Sequence, residues 1–185
     1  MSITPIGAAR RRFLRRGAHL AAAGSLAAVG VPARAAAAPR SLAFAHTHTG
    51  EVITLTYAEQ HSYLPDALQR LNRFLRDHYS GEVGHMDPAL FDQLYQVQQA
   101  LGARGSYQVI SGYRCPATNN KLRETGGGGV AKRSLHMDGR AIDVRLPGVP
   151  LAELRDAALS MRAGGVGYYP GQEFVHIDTG RVRSW

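Results

Sequence analysis

Cysteine is almost missing from this chain of 185 residues. Cys115 stands alone, so no disulfide can close within the chain and packing must hold the fold. A domain of about 147 residues buries enough apolar surface to do so. Long apolar runs are also missing. The best candidate, "AHLAAAGSLAAVGV", is alanine-rich and falls short of the roughly 20 residues a membrane-spanning helix needs. No internal repeat and no heptad seam occurs. Acid is absent from residues 1–38, which carry six arginines: Arg10, Arg11, Arg12, Arg15, Arg16 and Arg34. These account for most of the formal charge of +8 and leave about +2 for the remainder. Bulk charge suggests nucleic acid as a partner, but no basic stripe interleaved with aromatics remains once that segment is set aside, so nucleic acid is excluded.

The basic segment reads as an export leader over 1–38, with a single domain over 39–185. "RRRFLRRG" places a twin-arginine pair before Phe13 and Leu14, close to the pattern read by the bacterial twin-arginine exporter. The weakly apolar stretch follows. "PARAAAA" then offers small residues for cleavage, with Ala33-Arg34-Ala35 as the best site. The cleaved domain is expected in the periplasm or outside the cell, as a monomer without a stable membrane anchor.

In the domain, "SLAFAHTHTGEVITLTY" alternates about Thr49-Gly50 and predicts a hairpin. His46 and His48 form an H-x-H pair, read as lying on one strand face. Such a pair can grip a metal, but nothing in sequence partners it, so packing is the reading. Leu64, Leu68, Leu71 and Leu75 recur at helical spacing. Asp87 as cap, Pro88, then Leu90, Leu94, Val97 and Leu101, with Gly102 as the stop, predict a second helix. Both look like scaffold over one face of a sheet. "YQVISGYR" predicts a buried strand, "CPATNNKLRET" a short helix, Gly126–Gly129 a flexible loop, and "LAELRDAALSMRAGG" the last helix. "VGYYP" and "EFVHIDTG" predict closing strands joined by a Pro170-Gly171 turn. Hairpins and helices that do not alternate regularly imply an α+β fold: a small, largely antiparallel sheet with helices on its other face.

Chemistry gathers in two of these stretches. In "RAIDVRL" strand alternation puts Ala141, Asp143 and Arg145 on one side and Ile142 and Val144 in the core. In "EFVHIDTG" Phe174, His176 and Asp178 share a face. If the two strands are neighbours, Asp143 meets His176, and His136 in the preceding loop folds over them. Two imidazoles and a carboxylate make three zinc ligands with a fourth position open for water. A histidine near a strand is more commonly a hydrogen-bonded polar residue, and the spacing is not a helical H-E-x-x-H signal.

The blocks "SGYRCPATNNKL", "SLHMDGRAIDV", "GGVGYYP" and "FVHIDTGRVRSW" resemble the D-alanyl-D-alanine zinc metallopeptidase family, most closely its murein endopeptidase K branch. The resemblance runs from about Leu42 to Trp185. It implies an exported peptidoglycan hydrolase, one Zn2+ ion on His136, Asp143 and His176, and peptidoglycan peptides as substrate. Two departures stand out. Cys115 takes the place of a serine in the usual "SGYRS", and Phe174 stands where some relatives carry a second histidine.

Peptide hydrolysis also needs a proton acceptor. Relatives with an E-x-x-H block use its glutamate, here Glu173. Strict alternation would point Glu173 away from His176 unless pleating starts after it. Asp178, on the same face as His176, is the rival, with an imidazole-holding role as its alternative. Arg114 suits a substrate carboxylate or a developing oxyanion, with a salt bridge to Asp143 or Asp178 as the plainer option. Tyr113 beside it is a candidate substrate contact. A competing reading keeps the zinc and loses turnover, giving a cell-wall or protein binding module. The presence of a carboxylate at Glu173 argues against it.

Overall fold

A computed structural model of the chain describes residues 38–125 and 130–185. The export leader, but for its last residue, and the Gly126–Gly129 loop lie outside the described residues. The elements run β1 (Arg40–His46), β2 (Val52–Glu59), β3 (Ser62–Tyr63), α1 (Pro65–Phe74), α2 (Pro88–Ala100), β4 (Tyr107–Ser111) and α3 (Pro116–Thr125). A single 3-10 turn, Leu135–Asp138, leads into β5 (Ala141–Arg145), α4 (Leu151–Met161), β6 (Gly165–Tyr169), β7 (Phe174–Asp178) and β8 (Arg183–Ser184). All strands join one sheet in the order β3-β2-β1-β4-β5-β7-β6-β8. Only β1 with β4 and β6 with β8 pair in parallel. The α+β class with a largely antiparallel sheet therefore holds.

Local chemistry accounts for the helices. Pro65 and Pro88 open α1 and α2, where a missing N–H costs nothing. Asp87 caps α2 through its carboxylate, which accepts from Ala89 N at 3.0 Å. Leu71 and Leu75 from the first helical stretch and Leu90 and Leu94 of α2 are fully buried. They meet Ile142 and Val144 of β5 and Val175 and Ile177 of β7 in one core, with Leu154 of α4. Each such side chain contributes roughly 1.5–3 kcal/mol on burial. A one-residue slip of β5 or β7 would exchange that burial for Asp143 or His176, so the apolar face holds the register of the polar one.

Two features differ from expectation. The short edge strands β3 and β8 have no alternating pattern to announce them; each exists because a longer neighbour offers a free edge. The H-x-H pair does not share a strand face. β1 ends at His46, and His48 sits in the exposed turn, its N–H donating to His46 Nδ1 at 3.2 Å. His46 is buried edge-on against Phe74, and His48 stacks on His78 with ring centres 4.2 Å apart. Burial first, then the neighbouring His78 and His48, lower the His46 pKa to about 4.

Gly139 ends the 3-10 turn at φ 66°, and a Cβ there would drive into the carbonyl oxygen of His85. Gly139→Ala is expected to destabilise the fold by on the order of 3 kcal/mol, read as a lowered denaturation midpoint in urea. For His46, a folded pKa below the ordinary 6.5 means its contribution is complete above pH 6.5 and is lost as pH falls toward 4. His46→Phe should flatten the pH dependence of the unfolding free energy in that window; an unchanged slope would show that other groups set it.

Candidate metal centre and substrate cavity

β5 and β7 are antiparallel neighbours, and Asp143 stands directly across from His176 in their register. His136 comes from the 3-10 turn that enters β5. Its peptide oxygen accepts from Arg114 N at 3.1 Å, and Arg140 N closes the turn on Leu135 O at 2.9 Å. The strand-neighbour condition on which the three-residue constellation depended is met. Their candidate ligand atoms all lie within 4.8 Å of one another, the sole such His, Cys, Asp or Glu group among the described residues.

The hydrogen bonds decide which ring atoms face inward. His136 Nδ1 lies 2.7 Å from Gly112 O, which can only accept, so Nδ1 carries the proton and Nε2 presents a lone pair. His176 Nε2 lies 3.1 Å from Asp178 Oδ2, which turns its Nδ1 inward toward Asp143 and His136. These two nitrogens face each other at 3.2 Å. Asp143 Oδ1 is 2.8 Å from His176 Nδ1, and Oδ2 is 3.3 Å from His136 Nε2. The cluster therefore holds either an extra proton, shared between His176 Nδ1 and Asp143, or a cation in its place.

The electrostatics say the same. Burial opposes charge on His176, yet hydrogen bonds to Asp143 and Asp178 outweigh it and raise its pKa to about 9. Burial would raise Asp143, but the charge and hydrogen bonds of His136 and His176 hold it well below the usual carboxylate range. The protein therefore asks for positive charge at this point. A tetrahedral zinc ion with bonds of about 2.0–2.1 Å places its ligand atoms about 3.4 Å apart, close to the separations seen here. The donor set, two imidazoles and one carboxylate, fits zinc with a position left open.

The remaining site candidates fall in different places. Asp178 is fully buried, and its Oδ1 accepts from Gly165 N at 2.9 Å and Gly180 N at 2.8 Å. Arg183 adds a two-pronged pair at 3.1 and 2.7 Å. Despite burial, the bonds from His176, Arg183 and the two glycine amides hold Asp178 well below the ordinary carboxylate range. Glu173 lies just outside β7 at φ 56°, so regular pleating does begin after it. Its carboxylate is exposed and pairs with Arg145 at 3.2 Å. Arg114 sits 3.2 Å from Ser111 Oγ and only loosely, at 3.8 Å, from Asp143 Oδ2. Tyr113 is turned the other way: its ring covers Gly84 and its hydroxyl donates to Glu82 at 3.1 Å. Cys115 is buried, and its sulfur accepts from Thr118 N at 3.5 Å in the first turn of α3. A serine there would cap the helix, so the exchange touches a cap and not the cavity.

A cavity of about 460 Å3 opens over the three residues, lined also by Arg114, Arg133, Ser134, Tyr169, Phe174 and Trp185. Phe174, where a second histidine would stand, stacks on Tyr169 at 4.6 Å. Trp185 Nε1 donates to Tyr169 Oη at 2.7 Å, and its ring lies 5.3 Å from that of His176. The sequence reasoning missed Gly112, Arg183, Arg133 and Trp185. Nothing local marks them: Arg183 and Trp185 take their places from pairing between β6 and β8, Gly112 acts through a backbone carbonyl, and Arg133 reaches the cavity from the loop before the 3-10 turn.

Comparison with known proteins was decisive. A family model described as peptidoglycan L,D-endopeptidase MepK matches residues 34–185. The chain belongs to this family. Among its relatives, peptidoglycan L,D-endopeptidase MepK of Escherichia coli (strain K12) is 50% identical over 147 residues, spanning 80% of each chain. The protein of the same name from Shigella flexneri matches equally. A probable peptidoglycan L,D-endopeptidase MepK of Haemophilus influenzae is 43% identical over 148 residues, 80% of this chain and 79% of its own. No solved structure matches.

Asp178→Asn tests the reading of the site as a metal centre whose histidine is oriented from behind. It should weaken zinc affinity by about 10- to 100-fold in a competition titration with a chromophoric chelator, with the fold retained. Unchanged affinity would mean that Asp178 does not orient the ligand.

Proposed function

We propose that the chain is an exported, zinc-dependent peptidoglycan endopeptidase that hydrolyses a peptide bond of the L,D kind in murein stems or cross-links. Family membership supports the enzyme and its substrate class: relatives at 50% and 43% identity carry that name across four-fifths of this chain. The observation that carries the zinc is the pair of facing imidazole nitrogens, His136 Nε2 and His176 Nδ1, at 3.2 Å beside a buried carboxylate. A zinc ion bound there supplies Lewis acidity for the scissile carbonyl and a water acidic enough to be deprotonated near neutral pH.

The chain's own groups supply the rest. His136, Asp143 and His176 would hold the ion. Gly112 O and Asp178 fix the two ring tautomers, so each histidine offers its correct nitrogen. Asp178 is committed to His176, Arg183 and two amides, and acts as a positioning residue. Glu173, between the cavity-lining Gln172 and Phe174 but not itself a lining residue, is the carboxylate left for proton transfer. Its pair with Arg145 is exposed, and such pairs are worth about 0–1 kcal/mol, so substrate binding can release it. Arg114, on the cavity wall with Asp143 only at 3.8 Å, is placed to bind a substrate carboxylate or the oxyanion. The aromatic wall of Tyr169, Phe174 and Trp185 excludes water from one flank.

Export through the twin-arginine route follows from the leader motif at Arg10–Leu14 and is consistent with a wall substrate. Among the described residues, no helix is long and apolar enough to cross a membrane.

The test is digestion of muropeptide dimers by the zinc-loaded protein, with products identified by mass spectrometry. Cleavage at one cross-link bond, abolished by a chelator and restored by zinc, is expected. Glu173→Gln should lower kcat by about 100- to 10,000-fold while leaving zinc content intact. A fully active Glu173→Gln enzyme would remove Glu173 from proton transfer. Zinc binding without cleavage would favour the binding-module reading.

A further inference from the structure

We infer that Arg133 is a specificity-determining residue that binds a second free carboxylate of the substrate, beyond the one available to Arg114. The inference rests on the reading of the cavity as a peptidoglycan-peptide site and adds to it the ionisation state of the peptide selected.

The argument is one of charge balance in a confined space. Three arginines line the cavity, Arg114, Arg133 and Arg183, against one lining side-chain carboxylate, Asp143. Arg183 is neutralised from behind by the two-pronged contact with Asp178. Asp143 is engaged by His136 and His176, and Arg114 reaches it only at 3.8 Å. Among the described residues, no carboxylate lies within ion-pair distance of Arg133. Arg114 is therefore left with a long, shared pair to Asp143, and Arg133 with no counter-charge at the cavity wall. A single peptide carboxylate would satisfy one of the two.

Arg133 is exposed, but its attachment is not loose. It immediately precedes Ser134, whose carbonyl accepts from Met137 N at 3.0 Å to start the turn that carries His136. The base of the side chain is thereby held three residues from a metal-ligand candidate. Guanidinium groups match carboxylates in a two-pronged geometry that an amide cannot reproduce. The aromatic wall offers no polar alternative for such a carboxylate apart from the Tyr169 hydroxyl, which accepts from Trp185. The cavity should accordingly discriminate free-acid stems from stems whose carboxylates are amidated.

The experiment compares kcat/KM of the zinc-loaded full-length enzyme on two synthetic cross-linked stem-peptide dimers. One carries free carboxylates flanking the scissile bond; the other carries the corresponding amides. The wild type should prefer the free acid, and Arg133→Ala should reduce that preference about tenfold, chiefly through KM. Arg133→Lys should retain part of it. Melting curves check that both variants fold, which exposure of the side chain favours. Equal kcat/KM of the wild type on both dimers, or a preference unmoved by Arg133→Ala, would overturn this inference alone. Failure of the wild type to cleave either dimer would overturn the functional reading and this inference with it.

Discussion

The cross-strand pairing of Asp143 with His176 is the constraint on which the molecule's chemistry depends. It puts a carboxylate and an imidazole on one surface of a twisted sheet, at the contact distance of opposed residues in an antiparallel ladder. That pairing persists because the other surface of the same strands is dry. Ile142, Val144, Val175 and Ile177 lock into the helices, and any slip would trade them for charged groups. The hydrophobic core thus acts as the jig that holds the polar centre in register.

Around that pair the protein has arranged acceptors on the outside and ring nitrogens on the inside. Gly112 O pulls the proton of His136 outward, and Asp178 does the same to His176. Arg183 and the amides of Gly165 and Gly180 in turn hold Asp178. Two orders of support therefore stand behind three candidate ligands. Asp178 is saturated by donors in a buried place against His176, whereas the exposed carboxylate of Glu173 meets Arg145.

Residue patterns were informative where a local rule governed the outcome. The capped helix after Asp87, the helical leucines from Leu64 to Leu75 and the alternation in "RAIDV" and "FVHID" all appear as read. They were less informative where a partner from elsewhere decides. His46 and His48 look like neighbours on one face, yet the strand ends between them and His78 receives the second ring. β8 is invisible in "RVRS" because its strand character comes wholly from the free edge of β6. Tyr113 stands next to Arg114, but the chain turns there, and successive side chains depart toward Glu82 and toward the cavity.

By itself the sequence determined the class of fold, the residue types able to hold a metal, and the family, because periodicity, capping and motif order are properties of short contiguous segments. Only the tertiary structure decided which ring nitrogen of each histidine turns inward, that Asp178 is buried among donors while Glu173 is exposed beside Arg145, and that Arg133 and Trp185 border the cavity. Those outcomes depend on hydrogen-bond partners and strand edges far away along the chain, and no local pattern encodes a distance of a few ångströms between residues 40 positions apart, such as His136 and His176.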